Sequence, residues 1–133
     1  NINAIVKQKI NEFASLCNTK KIDFDFHAEG VFELNMNEQL LEILITNLFS
    51  NAINHNINGG KIVITIQDRV LKICNTGKPN SLNDKTIFKR FTKGDTKSYG
   101  LGLAIVKKIC DTYNLDIQYK KDDLHCFIIR TKI

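Results

Sequence analysis

The 133-residue sequence lacks the features that mark membrane-spanning, secreted and disulfide- or zinc-stabilised proteins. No apolar run approaches the ~20 residues that a membrane-spanning helix needs, and residues 1–9 contain no apolar core of signal-peptide length. The four cysteines lie far apart and form no CxxC pair. We therefore expect a cytoplasmic domain whose cysteines are small, reduced core residues, without a disulfide framework or a zinc site.

Internal repeats, low-complexity tracts and linkers are also absent, so a single domain over residues 1–133 is predicted. The net charge is +5, and a basic balance suits nucleic acid, a membrane surface or a phosphorylated ligand. Residues 75–100 contain six basic and two acidic residues, which leaves four of the five net charges in that segment. This concentration favours a polyphosphate ligand, and no nucleic-acid partner is expected.

Hydrophobic periodicity predicts both helices and strands. Residues 76–99 have no sustained periodicity, which in a compact domain is typical of a lid or a binding loop. We expect an α/β (α+β) two-layer sandwich in which a mixed, mostly antiparallel sheet of about five strands packs on three helices. The predicted helices are residues 1–18, 38–55 (with Asn37 as N-cap) and 100–113, and the predicted strands are residues 22–27, 31–34, 61–67, 70–75, 115–119 and 125–132.

Three asparagines lie on one face of the second predicted helix. Asn47, Asn51 and Asn54 are at positions i, i+4 and i+7. Asn costs about 0.6 kcal/mol relative to Ala at each helical position, and amides at the rim of a core need partners. Amide oxygens are suitable ligands for Mg²⁺ that keeps waters and phosphate oxygens. The alternative is a chance row in an Asn-rich chain, since Asn in a helix often bonds to the local backbone.

A glycine pattern, Gly100-Leu101-Gly102-Leu103, ends the loop and begins the third predicted helix. Glycine lets the backbone approach an anion, and a helix N-terminus offers N–H groups and a positive dipole end. The pattern is neither a Walker motif nor a dinucleotide fingerprint, because Ile105 stands where the third Gly or Ala belongs. A phosphate site is predicted, and a simple tight helix start is the alternative.

Two further patterns indicate a nucleotide. Asn75-Thr76-Gly77 directly follows a predicted strand, which is a usual place for a base-recognition group. Residues 88–93 combine two phenylalanines with three basic residues, as in a lid that closes over a nucleotide and meets its phosphates. The alternatives are an ordinary turn and a solvated charged loop, although a solvated loop does not explain the paired phenylalanines.

In order and spacing, these four features resemble the motifs of sensor histidine kinases, within the GHKL ATPase superfamily. Residues 44–55 (LITNLFSNAINH) resemble the N box, and Asn75-Thr76-Gly77 takes the place of the first glycine box. Residues 87–91 (IFKRF) resemble the F box, and residues 100–106 (GLGLAIV) the last glycine box. The resemblance covers roughly residues 35–113, and the motifs together are far more specific than any one of them.

The resemblance implies the Bergerat fold, with ATP held between the asparagine helix and a lid over residues 76–99. It implies that Asn51 coordinates Mg²⁺, that Asn47 lines the same site, and that Asn75 faces the adenine amino group. The other implied contacts are Asn54 and His55 near the phosphates or sugar, Gly77 beside the base, Phe88 and Phe91 anchoring the lid, Arg90 or Lys93 at the γ-phosphate, and the backbone of Gly100, Leu101, Gly102 and Leu103 around the triphosphate.

Three residues depart from the family pattern. The first glycine box normally begins with Asp, and an amide oxygen at Asn75 accepts the same hydrogen bond, so weaker but retained ATP selectivity is expected. Asn54 stands where a basic residue is common, which removes one phosphate contact. Ser98 stands where the last glycine box often has another Gly, which predicts a stiffer lid hinge.

The resemblance implies an ATP-dependent protein histidine kinase that transfers the γ-phosphoryl group to a histidine on a separate helical dimerisation domain, and then to a response regulator receiver domain. None of His27, His55 and His125 lies on an N-terminal helix before an acidic residue. The acceptor is therefore expected outside this chain, and His27 and His125 are expected to face solvent. We expect the isolated domain to be a monomer. The full-length parent protein is expected to be a homodimer that can be anchored in the inner membrane.

Three alternative functions are compatible with the sequence. One is a serine kinase of the anti-sigma type, from another branch of the same superfamily. Another is a degenerate nucleotide-binding scaffold that regulates a partner without catalysis, which the departures at Asn75 and Asn54 favour. The third is an α/β domain without a ligand.

Overall fold

The computed structural model describes residues 1–17, 21–77 and 96–131, with the backbone alone for residues 15–17 and 96–101. Within these residues the chain forms three helices and five strands. The helices are α1 (Ile2–Cys17), α2 (Glu38–Asn54) and α3 (Thr96–Thr112), and the strands are β1 (Asp23–Glu29), β2 (Lys61–Gln67), β3 (Val70–Asn75), β4 (Leu115–Lys121) and β5 (His125–Thr131).

The strands form one mixed sheet in the order β1-β2-β3-β5-β4. β1 runs parallel to β2, and the other neighbouring pairs are antiparallel. β3 is therefore the central strand, with β2 on one side and β5 on the other. This five-stranded, mostly antiparallel sheet packed on three helices confirms the predicted fold class.

The core lies between the sheet and the helices and is apolar. Alternate residues of β2 show the pattern, because Ile62, Ile64 and Ile66 are fully buried. Helix α2 contributes seven buried apolar side chains to the same cluster. Burial of one such side chain stabilises the fold by about 1.5–3 kcal/mol. The core therefore fixes the ends of α2, β3 and β5, where the candidate site lies.

Helix α2 begins and ends within a residue of its predicted bounds. The Asn37 side-chain oxygen accepts a hydrogen bond from the Leu40 amide at 3.0 Å, as an N-cap does. The Tyr113 hydroxyl accepts from the Asn37 amide at 3.2 Å, which attaches this cap to the end of α3. At the other end, the His55 amide donates to the Asn51 carbonyl at 3.1 Å.

The predicted hairpin between β2 and β3 is confirmed. Asp68 and Arg69 form its two-residue connection, both with positive φ, at 50° and 62°. Positive φ at both central residues is the geometry whose twist matches that of two paired strands. The register is thereby fixed so that Asn75, at the end of β3, lies opposite Ile62.

The predicted strand over residues 31–34 is wrong, since this segment is irregular. Its alternation comes from Phe32, which is fully buried between exposed neighbours. The Phe32 amide donates to the Asn3 side chain at 3.0 Å, and its carbonyl accepts from the Ile2 amide at 2.9 Å. The start of α1 therefore supplies the hydrogen-bond partners of the Phe32 backbone, which a neighbouring strand would otherwise supply.

The predicted start of α3 is also wrong. The helix begins at Thr96 and not at Gly100, so the glycine pattern lies inside it. Glycine costs a helix only about 1 kcal/mol relative to alanine, which is less than the packing of α3 against the core contributes. A glycine pair is therefore compatible with a continuing helix as well as with a helix start.

The expectation that the cysteines are all reduced is wrong as well. Cys74 and Cys126 form a disulfide, although 52 residues separate them in the sequence. They are direct register partners on the adjacent antiparallel strands β3 and β5. Sequence spacing alone hides this juxtaposition, because it depends on the order of the strands. Cys110 is a free, buried cysteine, as expected.

Candidate functional site

Buried polar residues mark one corner of the described structure. Asn56, Asn75 and His125 are the polar residues buried there. All lie where α2 ends, β3 ends and β5 begins. We call the group Asn56, Asn75, Thr76, Gly77 and His125 the polar corner. Because buried polar groups are destabilising unless they are hydrogen-bonded, a concentration of them at one place indicates a function.

Asn75 is the last residue of β3 and is only 2% exposed. Its side-chain nitrogen donates to the Thr76 carbonyl at 2.8 Å. A carbonyl oxygen only accepts, so this bond assigns the nitrogen of the amide to Thr76. The side-chain oxygen is therefore oriented as the acceptor that Asn75 can present to a ligand.

Gly77 lies in a narrow gap between the end of α2 and the start of β5. A Cβ atom at this position would lie 2.9 Å from the His55 carbonyl oxygen and 3.0 Å from Cδ2 of the His125 ring. The first of these contacts is to backbone, which cannot move away as a side chain can. The gap therefore requires glycine, and the backbone passes close to both neighbours.

A set of hydrogen bonds holds the strand end beside α2. The Thr76 hydroxyl bonds to the Asn56 side-chain oxygen and accepts from the Lys61 amide at 2.9 Å. The Asn56 side-chain nitrogen donates to the Lys61 carbonyl at 3.1 Å. Residues 75–77 are thereby connected to the segment that follows α2. Sequence reasoning missed Asn56, and only its place three residues before the Gly59-Gly60 turn hinted at it.

His125 is buried, and the expectation that it faces solvent is wrong. It is the first residue of β5 and is the register partner of Asn75. The alternation of β5 places it on the same face as the core residues Phe127 and Ile129. Its Nδ1 atom lies 2.6 Å from the Tyr119 hydroxyl oxygen. His27, by contrast, is exposed on β1, as expected.

Asn47, the first asparagine of the row on α2, faces α3. The Asn47 side-chain nitrogen donates to the Ile43 carbonyl at 2.8 Å, which is the local bond that the alternative interpretation describes. The Asn47 side-chain oxygen lies 3.2 Å from where a Cβ of Gly102 would be. Gly102 thus allows α3 to approach this amide. The structure brings the first asparagine and the glycine pattern together.

The row becomes more accessible at its last member. Asn47 and Asn51 are half-buried, and Asn54 is exposed. His55, which follows α2 as its C-cap, is half-buried, and its carbonyl borders the polar corner at Gly77. We call Asn47, Asn51 and Asn54 the amide face. It extends along α2 towards the helix end that contacts the polar corner.

The glycine pattern does not stand at a helix N-terminus in this structure. The N–H groups that an α-helix leaves unpaired are those of its first turn, which are residues 96–99 here. A cradle made from the amides of residues 100–103 would require that turn to open. Gly102 is half-buried, Leu103 is buried in the core, and the backbone of Gly100 and Leu101 is helical.

The predicted lid residues Phe88, Arg90, Phe91 and Lys93 lie outside the described residues, so their roles stay predictions. For the metal, the described residues contain no group of three or more His, Cys, Asp or Glu side chains that could hold an ion. A cation at this site would have to be held by amide oxygens together with oxygens of the ligand itself. Such a neutral donor set suits Mg²⁺ bound through a polyphosphate.

Comparison with known proteins gives consistent matches. Residues 36–132 match the family described as "Histidine kinase-, DNA gyrase B-, and HSP90-like ATPase". The heme sensor protein HssS of Staphylococcus aureus is 30% identical over 129 residues, which are 92% of this chain and 28% of HssS. The sensor histidine protein kinase HK06 of Streptococcus pneumoniae is 34% identical over 90 residues, which are 63% of this chain and 20% of HK06.

Among solved structures, the nucleotide-free catalytic domain of histidine kinase ThkA superposes with a TM-score of 0.83 at 26% identity. The match covers 98% of this chain and 93% of that domain. ThkA has also been solved in complex with the response regulator protein TrrA. The chain spans 20–28% of the length of the two curated relatives. Among the described residues, no helix is both long and apolar enough to cross a bilayer.

Proposed function

This chain belongs to the family of histidine kinase-, DNA gyrase B- and HSP90-like ATPases, and on that basis we propose that it binds Mg-ATP at the polar corner and the amide face and transfers the γ-phosphoryl group to a histidine of a separate helical domain. It is a catalytic ATPase domain of the sensor histidine kinase type. An ATPase domain binds ATP. The residues that bind the nucleotide and the acceptor of the phosphoryl group are what we propose.

The orientation of the Asn75 amide is the observation that carries the proposal. Its nitrogen is bonded to the Thr76 carbonyl at 2.8 Å, and its oxygen is left as an acceptor. The exocyclic amino group of adenine donates hydrogen bonds, whereas the corresponding oxygen of guanine accepts them. An acceptor fixed at the end of β3 therefore favours adenine over guanine. Gly77 lets the backbone that follows Asn75 pass close to His55 and His125.

The amide face is the proposed metal and phosphate site. Asn51 would hold Mg²⁺ through its side-chain oxygen, with Asn47 lining the same site, and Asn54 and His55 would lie near the phosphates or the sugar. The Asn47 oxygen lies 3.2 Å from where a Cβ of Gly102 would be, which supports this because it brings one amide oxygen of this face close to α3. Bound Mg²⁺ supplies charge neutralisation at the phosphates.

The remaining phosphate contacts are assigned by this proposal to the predicted lid, most of which lies outside the described residues. Arg90 or Lys93 would contact the γ-phosphate, and Phe88 and Phe91 would anchor the lid over the nucleotide. In phosphoryl transfer the protein mainly positions groups and stabilises developing charge. Cations next to the triphosphate are therefore sufficient for this role, and no nucleophile of the chain is required.

The proposed acceptor and partners lie outside the chain. The names of the relatives describe a sensor histidine kinase and a heme sensor protein, and ThkA has been solved in complex with a response regulator. We accordingly place the acceptor histidine on a helical dimerisation domain of the same protein, and the next acceptor on a response regulator receiver domain. The full-length protein would be a homodimer, and this domain alone would be a monomer.

The proposal is tested by phosphoryl transfer in trans. The chain is mixed with γ-labelled ATP, Mg²⁺ and the helical dimerisation domain of a histidine kinase, with the acceptor His→Gln domain as control. The expected result is an acid-labile label on the histidine-bearing domain and none on the control. Binding of ATP without transfer would favour the regulatory scaffold, and an acid-stable label on a serine substrate would favour the serine kinase.

Binding itself is tested separately by thermal or denaturant unfolding. Ligand at 100 times its Kd should stabilise the folded chain by about 2.7 kcal/mol. An unfolding transition that Mg-ATP does not shift would leave the α/β domain without a ligand as the remaining interpretation.

A further inference from the structure

We propose that Asn56 and Thr76 are positioning residues for base recognition. The Thr76 hydroxyl, held by Asn56, takes the place of a backbone acceptor, and the Thr76 carbonyl is thereby released to orient the Asn75 amide. This inference rests on the proposed ATP site and concerns the selectivity of that site. It depends on the hydrogen bonds that end the β2–β3 ladder, the orientation of the Asn56 amide and the space left by Gly60.

The β2–β3 ladder ends asymmetrically at Lys61 and Thr76. The register that pairs Ile62 with Asn75 places these two residues opposite each other. Directly opposed residues of a hydrogen-bonded antiparallel pair exchange two backbone hydrogen bonds. Here the Thr76 amide donates to the Lys61 carbonyl at 3.1 Å, whereas the Lys61 amide donates to the Thr76 hydroxyl oxygen at 2.9 Å. The Thr76 side chain therefore replaces the Thr76 carbonyl as the acceptor in the ladder.

The Thr76 carbonyl, which is released from the ladder in this way, is the acceptor that orients Asn75. It accepts a hydrogen bond from the Asn75 side-chain nitrogen at 2.8 Å. Loss of the hydroxyl would leave the Lys61 amide without this acceptor, and the Thr76 carbonyl is the group that an ordinary ladder turns towards such an amide. The Asn75 nitrogen would then lose its partner. The Asn75 amide could present either its oxygen or its nitrogen to a base.

The orientation of the Asn56 amide is set by backbone groups. Its nitrogen donates to the Lys61 carbonyl at 3.1 Å, and its oxygen accepts from the Ile57 amide at 2.9 Å. Because an amide oxygen only accepts, the Thr76 hydroxyl donates its hydrogen to Asn56. The Lys61 carbonyl, at 3.4 Å, is the more distant acceptor for that hydrogen. A hydroxyl that donates to Asn56 keeps its lone pairs for the Lys61 amide.

Asn56 and Thr76 are packed together beside the turn that precedes β2. A Cβ atom at Gly60 would overlap both the Asn56 side-chain oxygen and the Thr76 hydroxyl oxygen. Glycine at this position therefore leaves the room that the hydrogen bond between the two side chains needs. Asn56 is only 9% exposed, so water does not readily replace it as the partner of the hydroxyl.

Base selectivity separates positioning from a merely structural role. The ratio of ATP to GTP affinity and the free energy of unfolding are measured for the unaltered 133-residue chain and for Thr76→Val, Thr76→Ser, Asn56→Ala and Asn3→Ala. Asn3→Ala is the matched control, on α1. The Asn3 amide likewise joins two backbone groups, since it donates to the Gly30 carbonyl and accepts from the Phe32 amide, each at 3.0 Å.

For the unaltered chain we expect a preference for ATP on the order of tenfold. Thr76→Val lacks the hydroxyl and should reduce this preference to about twofold, because the Asn75 amide is no longer held in one orientation. Asn56→Ala should reduce it to about threefold, since the hydroxyl remains but has lost its acceptor. Thr76→Ser has a hydroxyl and should restore most of the preference. Asn3→Ala should lose about as much stability as Asn56→Ala and keep the preference.

Scalar couplings across hydrogen bonds test the same arrangement in the isotope-labelled, unaltered chain. We expect a coupling between the Asn75 side-chain nitrogen and the Thr76 carbonyl carbon. A coupling between the Lys61 amide nitrogen and the Thr76 carbonyl carbon would instead show an ordinary end to the ladder. That result would contradict the inference whether or not any variant folds.

A tenfold preference that persists in Thr76→Val would overturn the inference and leave the Asn75 contact standing. An equal loss of affinity for both nucleotides would do the same, because a merely structural role predicts it. A reduced preference in Asn3→Ala would also count against the inference, since selectivity would then follow stability. Equal affinity of the unaltered chain for ATP and GTP would remove the Asn75 contact and this inference with it. Failure of the unaltered chain to bind ATP at all would instead overturn the proposed function.

Discussion

The polar corner and the amide face differ in how the fold holds them. Asn75 and His125 are 2% and 7% exposed and are held by hydrogen bonds between strand ends, while Asn51 is half-buried and Asn54 is exposed on the outer part of α2. The polar corner is thus part of the core, and the amide face lies on its rim. Changes at the corner should therefore affect stability and base recognition together, and changes at the amide face should affect binding alone.

The largest expected effect on the stability of the polar corner comes from reduction of the disulfide. Cys74 precedes Asn75 on β3, and Cys126 follows His125 on β5. Reduction should lower the free energy of unfolding by about 4 kcal/mol, because a cross-link over 52 residues restricts the unfolded chain. Urea unfolding with and without reductant measures this difference. The chain with Cys74→Ala and Cys126→Ala is the control and should not respond to reductant. Equal unfolding midpoints of the unaltered chain in both conditions would contradict the bond.

At the amide face, Asn51→Ala should abolish the Mg²⁺-dependent part of ATP binding, because the variant lacks the amide oxygen proposed to hold the ion. The free energy of unfolding should stay within about 0.5 kcal/mol of the unaltered value, since the side chain is only half-buried. Calorimetric titration with ATP, with and without Mg²⁺, measures the first effect. Gln39→Ala, at an exposed position of the same helix, is the control. Full retention of the Mg²⁺ dependence would remove Asn51 from the metal site.

Gly77→Ala should affect both properties. Its Cβ would lie 2.9 Å from the His55 carbonyl oxygen, so the strand end or α2 must shift. We expect a loss of about 1–3 kcal/mol in stability, as for other overpacked sites, and at least a tenfold loss of ATP affinity from the displaced corner. Gly30→Ala is the matched control. It is destabilising through its positive φ of 86° but meets nothing within 4 Å, and should bind ATP normally. Normal ATP binding by Gly77→Ala would contradict the close contact.

Gly102→Ala is the same substitution in α3, next to Asn47 of the amide face, and its effect on stability should be small. Alanine favours the helix by up to about 1 kcal/mol, and the Asn47 oxygen 3.2 Å away belongs to a side chain that can yield. We expect unchanged or slightly higher stability, within about 0.5 kcal/mol of neutral, with weaker Mg-ATP binding because the Asn47 oxygen is displaced. Thermal unfolding compares this variant with Gly77→Ala. Equal destabilisation by both would remove the distinction between the two regions.

The local signals in the sequence predicted the architecture. The Asn37 cap, the alternation of Ile62, Ile64 and Ile66, and the two-residue hairpin turn depend on neighbours within a few residues, and each is confirmed. The family motifs placed Asn47, Asn75 and Gly77 on elements that meet in the structure. Their roles towards ATP and Mg²⁺ stay proposals, as do those of the residues that the structure does not describe.

The wrong predictions share one cause, which is contact between distant parts of the chain. Phe32 bonds to Asn3 and Ile2 instead of to a strand, and the glycine pattern lies inside α3. Cys74 and Cys126 meet only because β5 lies next to β3 in the sheet. The burial of His125 has the same origin. Periodicity indicates which residues share a face, but not which strands are adjacent.

The central claim is that the Asn75 oxygen recognises adenine, and the ratio of ATP to GTP affinity tests it most directly. Calorimetric titration of the unaltered chain should give a preference for ATP on the order of tenfold, which Asn75→Asp should increase and Asn75→Leu should reduce to about one. The same preference for ATP in all three proteins would show that Asn75 does not face the base.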